Sequence, residues 1–479
     1  MAGGNGMYST TMKPSIRLKD FKWILVGIWA VACFSFFQWC YPYHFFYKEQ
    51  NQLFLWSYDY LSTYFDQPGW LASIVGDFLT QFFYYLYAGA TILTLILLLL
   101  QAVTYATLRK IGCKPWLATG IALLLATIEA VFHLRFDFKL SSTIALIGWI
   151  TIIFLILKIV SRRRWQISAV AFLAATPLAY WMFGYHILGR LSTPDWDSEK
   201  FLAVDSEYYF GNWDKVVSIV ENEAQPSPEM LFYYNLVMAQ RGVLPDVLLK
   251  YTPNQLGTFY KIGPDTPMLT IKNMNELYWA LGDMTFTERA AMMACVFSPE
   301  NRNNRMVKRL AECAIVSGDS LAARKFLRQL EQTFVWHDWA QKAPKAERYK
   351  ERARYNNQQD TVALSDNAHF IMMQLLYSNP QNETALDYIL CSNLLLKDIH
   401  NFKRDYDRYC TQHPRLKRLY QEALCIWLAG SEATEEEWHH YVKDSNVLHK
   451  FMQYNQQRGS TDFRGTYWFY FDKVKAPKP

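Results

Sequence analysis

The sequence predicts an all-α protein in which an N-terminal bundle of transmembrane helices is followed by a helical-repeat domain of the α-solenoid type. Apolar runs recur through the first 188 of the 479 residues, and each approaches the ~20 residues that a membrane-spanning helix needs. From residue 192 onward, apolar residues instead recur at i, i+3, i+4 and i+7, which is the period of amphipathic helices. The two parts therefore differ in kind.

Five apolar runs are expected to cross a bilayer, and they lie at residues 21–40, 86–108, 116–134, 140–160 and 165–188. Short links join the last four runs, with the sequences RKIGCKP, RFDFK and SRRR. Helices joined so closely should be antiparallel neighbours in one bundle. We therefore predict an N-terminal segment at 1–20 and a transmembrane domain at 21–188, with the lipid bilayer as its first partner.

The placement of basic residues predicts the orientation of these spans. Eleven Lys and Arg residues lie on one alternating set of flanks, and only Lys48, Arg135 and Lys139 lie on the other. Because basic flanks favour the cytoplasmic side, the N-terminus should be cytoplasmic in an inner, cytoplasmic membrane. Five crossings then place the C-terminal domain outside the cytoplasm, in the periplasm. One span more or fewer would move that domain to the other side.

Segment 41–85, between the first two runs, is rich in aromatic residues and carries few charges. Aromatic side chains favour the interface between membrane and water. We expect a helix over about 50–64, a turn at Gln67-Pro68-Gly69 and a second helix from Trp70. The pattern leaves open whether the segment crosses the membrane, re-enters it or lies on its surface.

Glu129 and His133 are candidate functional residues, because they lie four residues apart on one face near the end of the third run. A carboxylate within a membrane span is costly and often functional. The alternative is structural, with Glu129 close to the interface and paired to His133 or Arg135. Three further catalytic candidates lie in segment 41–85, namely Glu49, Asp59 and Asp77, which can serve as acids or bases or as helix caps and interface anchors.

Charge and cysteine content exclude several classes of function. Residues 1–188 hold 14 of the 49 Lys and Arg and 7 of the 43 Asp and Glu, so the remainder is nearly neutral. The net positive charge thus belongs to the membrane part, and no nucleic-acid-binding surface is predicted. The eight cysteines form no CxxC pair or zinc-type spacing. We expect buried thiols, with a disulfide between Cys410 and Cys425 as the alternative, and neither metal nor cofactor.

The C-terminal part, 189–460, should form a succession of paired helices, with 461–479 as a tail. Several segments resemble tetratricopeptide (TPR) repeats, in which two helices cross at a small residue. The clearest is the stretch GDSLAARKF at 318–326, where Gly318 would end one helix while Ala323 and Phe326 would occupy the small and aromatic positions. The spacing between such segments is irregular. The predicted fold is therefore TPR-like, and this resemblance implies no particular ligand.

The whole chain also resembles an uncharacterised bacterial family of polytopic membrane proteins with a TPR-like C-terminal half. The stretches that carry this resemblance are YPYHFFYKEQ at 41–50, QPGW at 67–70 and GDFLTQFFY at 76–84. The resemblance implies the two-part architecture and no established activity.

The sequence lacks a P-loop, a dinucleotide-binding glycine pattern, HExxH and GxSxG. We therefore expect a scaffold of the bacterial envelope, whose helical domain binds a protein partner. The alternative is an extracytoplasmic-face membrane enzyme or transporter, related to glycans or lipids, that uses Glu129 and the acidic residues of segment 41–85.

Overall fold

The computed structural model describes residues 18–159, 193–251, 268–354, 367–410 and 416–476, together with four isolated positions at 167, 171, 175 and 365. Every regular element within these residues is helical, which confirms the all-α prediction. The chain divides into two compact units. The first, which we call the membrane unit, comprises Met1–Glu49 and Tyr58–Asp195, and the second, the helical domain, comprises Gln50–Ser57 and Trp196–Pro479.

The membrane unit begins with α1, which continues as a π-helical turn through Phe36–Cys40. The helices up to Ile159 are α1 (Leu18–Ser35), α2 (Tyr43–Gln50), α3 (Tyr58–Ser62), α4 (Trp70–Thr80), α5 (Ala88–Lys110), α6 (Pro115–Phe132) and α7 (Leu140–Ile159).

Four helices in the described residues are long and apolar enough to cross a membrane, at Lys22–Cys40, Ala88–Lys110, Pro115–Phe132 and Leu140–Ile159. They correspond to the first four predicted runs, with ends that differ by a few residues. The fifth predicted run, 165–188, lies outside the described residues except for isolated positions.

Helix α5 is central to the membrane unit, because α1, α6 and α7 all pack against it. Its residues Leu93, Leu97 and Leu100 are completely buried. Helix α4 packs on α7 at Gly76, where an added Cβ would lie 2.6 Å from the backbone nitrogen of Ser141. Only glycine permits this approach without displacing the α7 backbone.

Segment 41–85 differs from its predicted form in its first half. Helix α4 begins at Trp70 as expected, after Gly69 with a φ of +81°. The expected helix over 50–64 is interrupted, because residues 51–57 are not helical and α3 is short. Gln50–Ser57 is part of the helical domain, where the Asn304 backbone N–H donates to the Gln52 carbonyl at 3.1 Å. We call this stretch the inserted segment.

The helical domain contains α8 to α24. They are α8 (Trp196–Tyr209), α9 (Trp213–Glu221), α10 (Pro228–Gln240), α11 (Leu244–Val247), α12 (Met268–Leu281), α13 (Met284–Phe297), α14 (Asn304–Ser317), α15 (Ser320–Glu331), α16 (His337–Lys342), α17 (Glu347–Arg354), α18 (Ala368–Ser378), α19 (Glu383–Leu395), α20 (Ile399–Cys410), α21 (Arg418–Gly430), α22 (Glu435–Tyr441), α23 (Ser445–Gln456) and α24 (Tyr467–Lys473). Consecutive helices pack together, most extensively α12 with α13 and α14 with α15.

The corner between α14 and α15 has the local geometry that the sequence predicted. Gly318 ends α14 with a φ of +76°, and the Asp319 carboxylate caps α15 by accepting from the backbone N–H groups of Leu321 and Ala322. Ala323 is buried in the contact between the two helices, whereas Ser320 is exposed.

The segment 461–479 was expected to be a tail, but its helix α24 packs into the helical domain. Helix α24 contacts α21, and Trp468 lies buried against Cys425 and Phe451. All eight cysteines are thiols, so the alternative of a disulfide between Cys410 and Cys425 is wrong.

Candidate functional site

The candidate residues Glu129 and His133 are joined through a third side chain, Thr143. Helix α6 carries Glu129 and ends just before His133, and the first turn of α7 supplies Thr143. The Thr143 hydroxyl donates to Glu129 Oε2 at 2.7 Å, and His133 Nε2 lies 2.9 Å from the same hydroxyl oxygen. Because a hydroxyl has one proton, its donation to Glu129 leaves the oxygen to accept an N–H from His133.

Lys48 of α2 adds a cation to this group. Its ammonium group donates to the backbone carbonyl of His133 at 3.1 Å. Burial lowers the pKa of Lys48 from 10.5 to about 7, although the charge of Asp137 acts in the opposite direction. We call Lys48, Glu129, His133 and Thr143 the polar cluster.

His44 lies one turn before Lys48 on α2, and its ring nitrogen Nδ1 is 2.6 Å from the Tyr41 carbonyl oxygen. Burial, reinforced by the charge of Lys48, lowers the pKa of His44 well below its usual value. The surroundings of α2 therefore disfavour positive charge, and Lys48, with a pKa of about 7, is the basic group of this helix that can exchange a proton near neutral pH.

The remaining predicted site residues are distributed differently. Glu49 is buried on α2, whereas Asp59 on α3 is exposed. Asp77 on α4 accepts a hydrogen bond from the Tyr64 hydroxyl at 2.7 Å. Arg135, which one interpretation expected to pair with Glu129, forms an ion pair with Asp137 at 2.7 Å.

Sequence reasoning missed Thr143 and Lys48 as members of the polar cluster. Lys48 was interpreted only as a topology signal, and Thr143 was not singled out. One feature of the sequence could have indicated Thr143. Because burying a carboxylate such as Glu129 is costly without a hydrogen bond, a neighbouring helix must supply a donor to it. Thr143 lies in the first turn of the next helix along the chain.

A second set of buried polar side chains lies in the helical domain and centres on Arg305. Its guanidinium donates to Asp205 at 2.7 Å, to Glu276 at 2.8 Å and to Gln50 of the inserted segment at 3.0 Å. Arg309, one turn later on α14, donates to the other oxygen of Glu276 at 2.7 Å. We call these five residues the arginine network.

The charges of the arginine network largely satisfy one another. Burial alone would raise the pKa of Glu276, yet the charges of Arg309 and Arg305 hold it below its usual value. Buried ion pairs of this kind fix geometry, and removing one partner is strongly destabilising. The arginine network is therefore suited to a structural role, whereas the polar cluster holds acid and base groups that can pass a proton.

Comparison with known proteins identifies the chain at the level of a family. Neither the curated proteins nor the solved structures gave a match. The chain matches the family described as "Family of unknown function (DUF6057)" over residues 17–192 and again over residues 186–473. These two matches together span both units. This protein therefore belongs to that family of unknown function.

Proposed function

We propose that this protein is a membrane-anchored scaffold of the bacterial envelope, whose TPR-like helical domain binds another protein. The observation that carries the proposal is an apolar ridge on α13, formed by Met292, Val296 and Phe297. Their side chains are 45%, 64% and 50% exposed. Met292 and Val296 are four residues apart and so share one helix face, and Phe297 is adjacent.

An exposed cluster of large apolar side chains is typical of surfaces that bind other proteins. The interior of the same domain supports this interpretation, because its central carboxylates Asp205 and Glu276 are occupied by Arg305 and Arg309. These carboxylates therefore have a structural role, and the domain would bind a partner through its outer surface.

Affinity purification of the cross-linked, full-length chain from detergent tests this proposal. The double variant Met292→Ser/Val296→Ser should lose proteins that the unaltered chain retains. Thr285→Ser/Glu288→Gln, at exposed positions of the same helix, is the matched control and should retain them. Surface substitutions of this kind change stability by only about 0.5 kcal/mol. Recovery of the same proteins with both variants would contradict the proposal.

We also infer that the helical domain lies outside the cytoplasm. The number of membrane crossings supports this inference. The inserted segment and Trp196–Pro479 belong to one folded unit, so both must lie on the same side of the membrane. The chain between them must therefore cross an even number of times. The described residues there contain three candidate spans, and α4, with 11 residues, is too short to be another. The run 165–188 would supply the fourth crossing.

The polar cluster favours a second candidate function, a membrane enzyme or transporter acting on glycans or lipids at the extracytoplasmic face. Glu129 and His133 share one bridging hydroxyl, and Lys48 has a pKa near neutrality. Glu129→Gln keeps the size of the side chain and removes its charge. Under this function it should abolish the cellular phenotype of the gene while protein level and partner recovery stay normal. An unchanged phenotype would exclude a chemical role for Glu129.

A further inference from the structure

The helical domain contains a cavity of 670 Å³ whose lining is rich in polar side chains. It lies among α10, α12, α17, α19 and α20, and its lining includes Gln240, Arg241, Arg352, Gln381, Thr384 and Tyr409. This volume is within the range of pockets that hold small organic ligands, about 300–1,000 Å³. The cavity is separate from both the polar cluster and the apolar ridge.

Arg352 of α17 is the unusual member of this lining. Its Nε and Nη2 atoms are buried without a hydrogen-bond partner, and the part of the chain that the structure describes gives it no ion pair. The guanidinium carbon lies 4.9 Å from the centre of the Trp279 ring. The side chain as a whole is half-buried, and the charge of Glu312 favours its protonated form without outweighing the cost of desolvation. A cation placed in this way lacks the compensation that a directly paired carboxylate would provide.

Comparison with the arginine network shows how differently Arg352 is placed. Carboxylates outweigh burial at Arg305 and Arg309 and hold the pKa of each above its usual value. At Arg352 burial prevails, and the pKa falls to about 10. The domain thus pairs Arg305 and Arg309 directly with its own carboxylates. Arg352, at the cavity wall, is influenced by the charge of Glu312 but forms no ion pair among the described residues.

Two further features of the wall suit an anion with additional polar groups. The Tyr409 hydroxyl is buried without a hydrogen-bond partner. The first turn of α19, at Glu383 and Thr384, also faces the cavity, and the N-terminus of a helix of this length favours negative charge. Of the other charged residues in the lining, Arg241 already pairs with Asp214 at 2.7 Å, and Glu383 is exposed.

We propose that this cavity binds a small hydrophilic organic anion, with its carboxylate or phosphate group against Arg352 and a further polar group at Tyr409. The bound anion would supply the negative charge that Arg352 lacks. Charge-assisted hydrogen bonds to arginine are among the stronger polar contacts in proteins. Binding at this site does not depend on a protein partner at the apolar ridge.

Calorimetry and thermal unfolding of the full-length chain in detergent test this proposal at constant ionic strength. The probes are glucuronate, glucose 6-phosphate and neutral glucose, which share a sugar ring and differ in the anionic group. One or both anions should bind saturably and raise Tm, and glucose should not. The anion that binds identifies the source of the charge as carboxylate or phosphate. Absence of binding by both anions, or equal binding of glucose, would overturn the proposal.

Variants of the lining residues test whether the anion binds in this cavity. Arg352→Gln should weaken binding by about tenfold to a hundredfold, whereas Lys350→Gln should bind as the unaltered chain does. Lys350 is an exposed residue of the same helix that pairs with Glu347. If Arg352→Gln does not fold, Tyr409→Phe provides the test, since it removes one hydroxyl and no charge. Unchanged binding by Arg352→Gln, or by Tyr409→Phe in that case, would place the anion elsewhere and refute the site.

Discussion

The ammonium group of Lys48 donates to the backbone carbonyl of His133 at 3.1 Å. This bond ties α2, in the segment after the first candidate span, to the residue that follows α6. It also places a half-buried lysine at the end of α6, next to His133. The arrangement makes the stability of the membrane unit dependent on pH.

We expect the membrane unit to become more stable as pH rises from about 7 towards 10.5. The pKa of Lys48 is about 7 in the folded chain against an ordinary value of 10.5. Between these values the unfolded chain binds more protons, so raising pH favours the folded state. Below about pH 7 the cost of charging buried Lys48 is present in full. Unfolding in detergent at a series of pH values measures this slope.

Lys48→Met should remove much of that pH dependence, whereas Lys139→Met, at an exposed position, should leave it unchanged. Equal slopes in the two variants would show that Lys48 is not the responsible group.

Thr143→Val should destabilise the membrane unit by about 1–3 kcal/mol, because it removes the hydroxyl that Glu129 and His133 share while both remain buried. Thr151→Val is the control on the same helix, since its hydroxyl donates only to the Ile147 carbonyl one turn earlier. Thermal unfolding of the two variants in detergent gives the comparison. Similar losses would mean that the bridge contributes nothing specific.

Arg305→Met should destabilise the helical domain by about 3–5 kcal/mol, because Asp205 and Glu276 would be left buried with less compensating charge. Arg324→Met changes an exposed arginine and should cost about 0.5 kcal/mol or less. Denaturant unfolding followed by circular dichroism measures both. A small effect at Arg305 would show that Arg309 and neighbouring groups replace it.

Ala323→Phe should cost about 1–3 kcal/mol by overpacking the contact of α14 with α15. Ser320→Phe, three residues earlier and exposed, should cost little. If both substitutions lower Tm equally, Ala323 is not the close contact on which this helix pair depends.

A reporter fused after Pro479 should behave as an extracytoplasmic protein. Alkaline phosphatase should be active there and green fluorescent protein dark, because the proposed topology has a cytoplasmic N-terminus and five crossings. The opposite pattern, with fluorescence and no phosphatase activity, would place the helical domain in the cytoplasm and refute the five-span topology.

Much of the fold could be predicted because the positions of helices and turns depend on residues that are close together in the sequence. Apolar periodicity predicted a succession of helices from residue 192 onward, and Gly318 predicted the end of α14. The relation of Glu129 to His133 also followed from their spacing. Thr143, Lys48 and the partners of Arg305 come from distant parts of the chain, and no local pattern specifies which helices meet. The place of the inserted segment in the helical domain was not predicted, because its aromatic residues suit a membrane interface as well as a protein interior.

The inserted segment has a consequence for biosynthesis. Residues 50–57 are synthesised long before the helix that receives them, since Arg305 lies 255 positions after Gln50. The helical domain can therefore complete its interior only after every intervening hydrophobic run has been inserted or translocated. A chain that inserts with one crossing too few or too many cannot bring Gln50 to Arg305. Completed folding of the helical domain would therefore depend on correct insertion of the membrane unit.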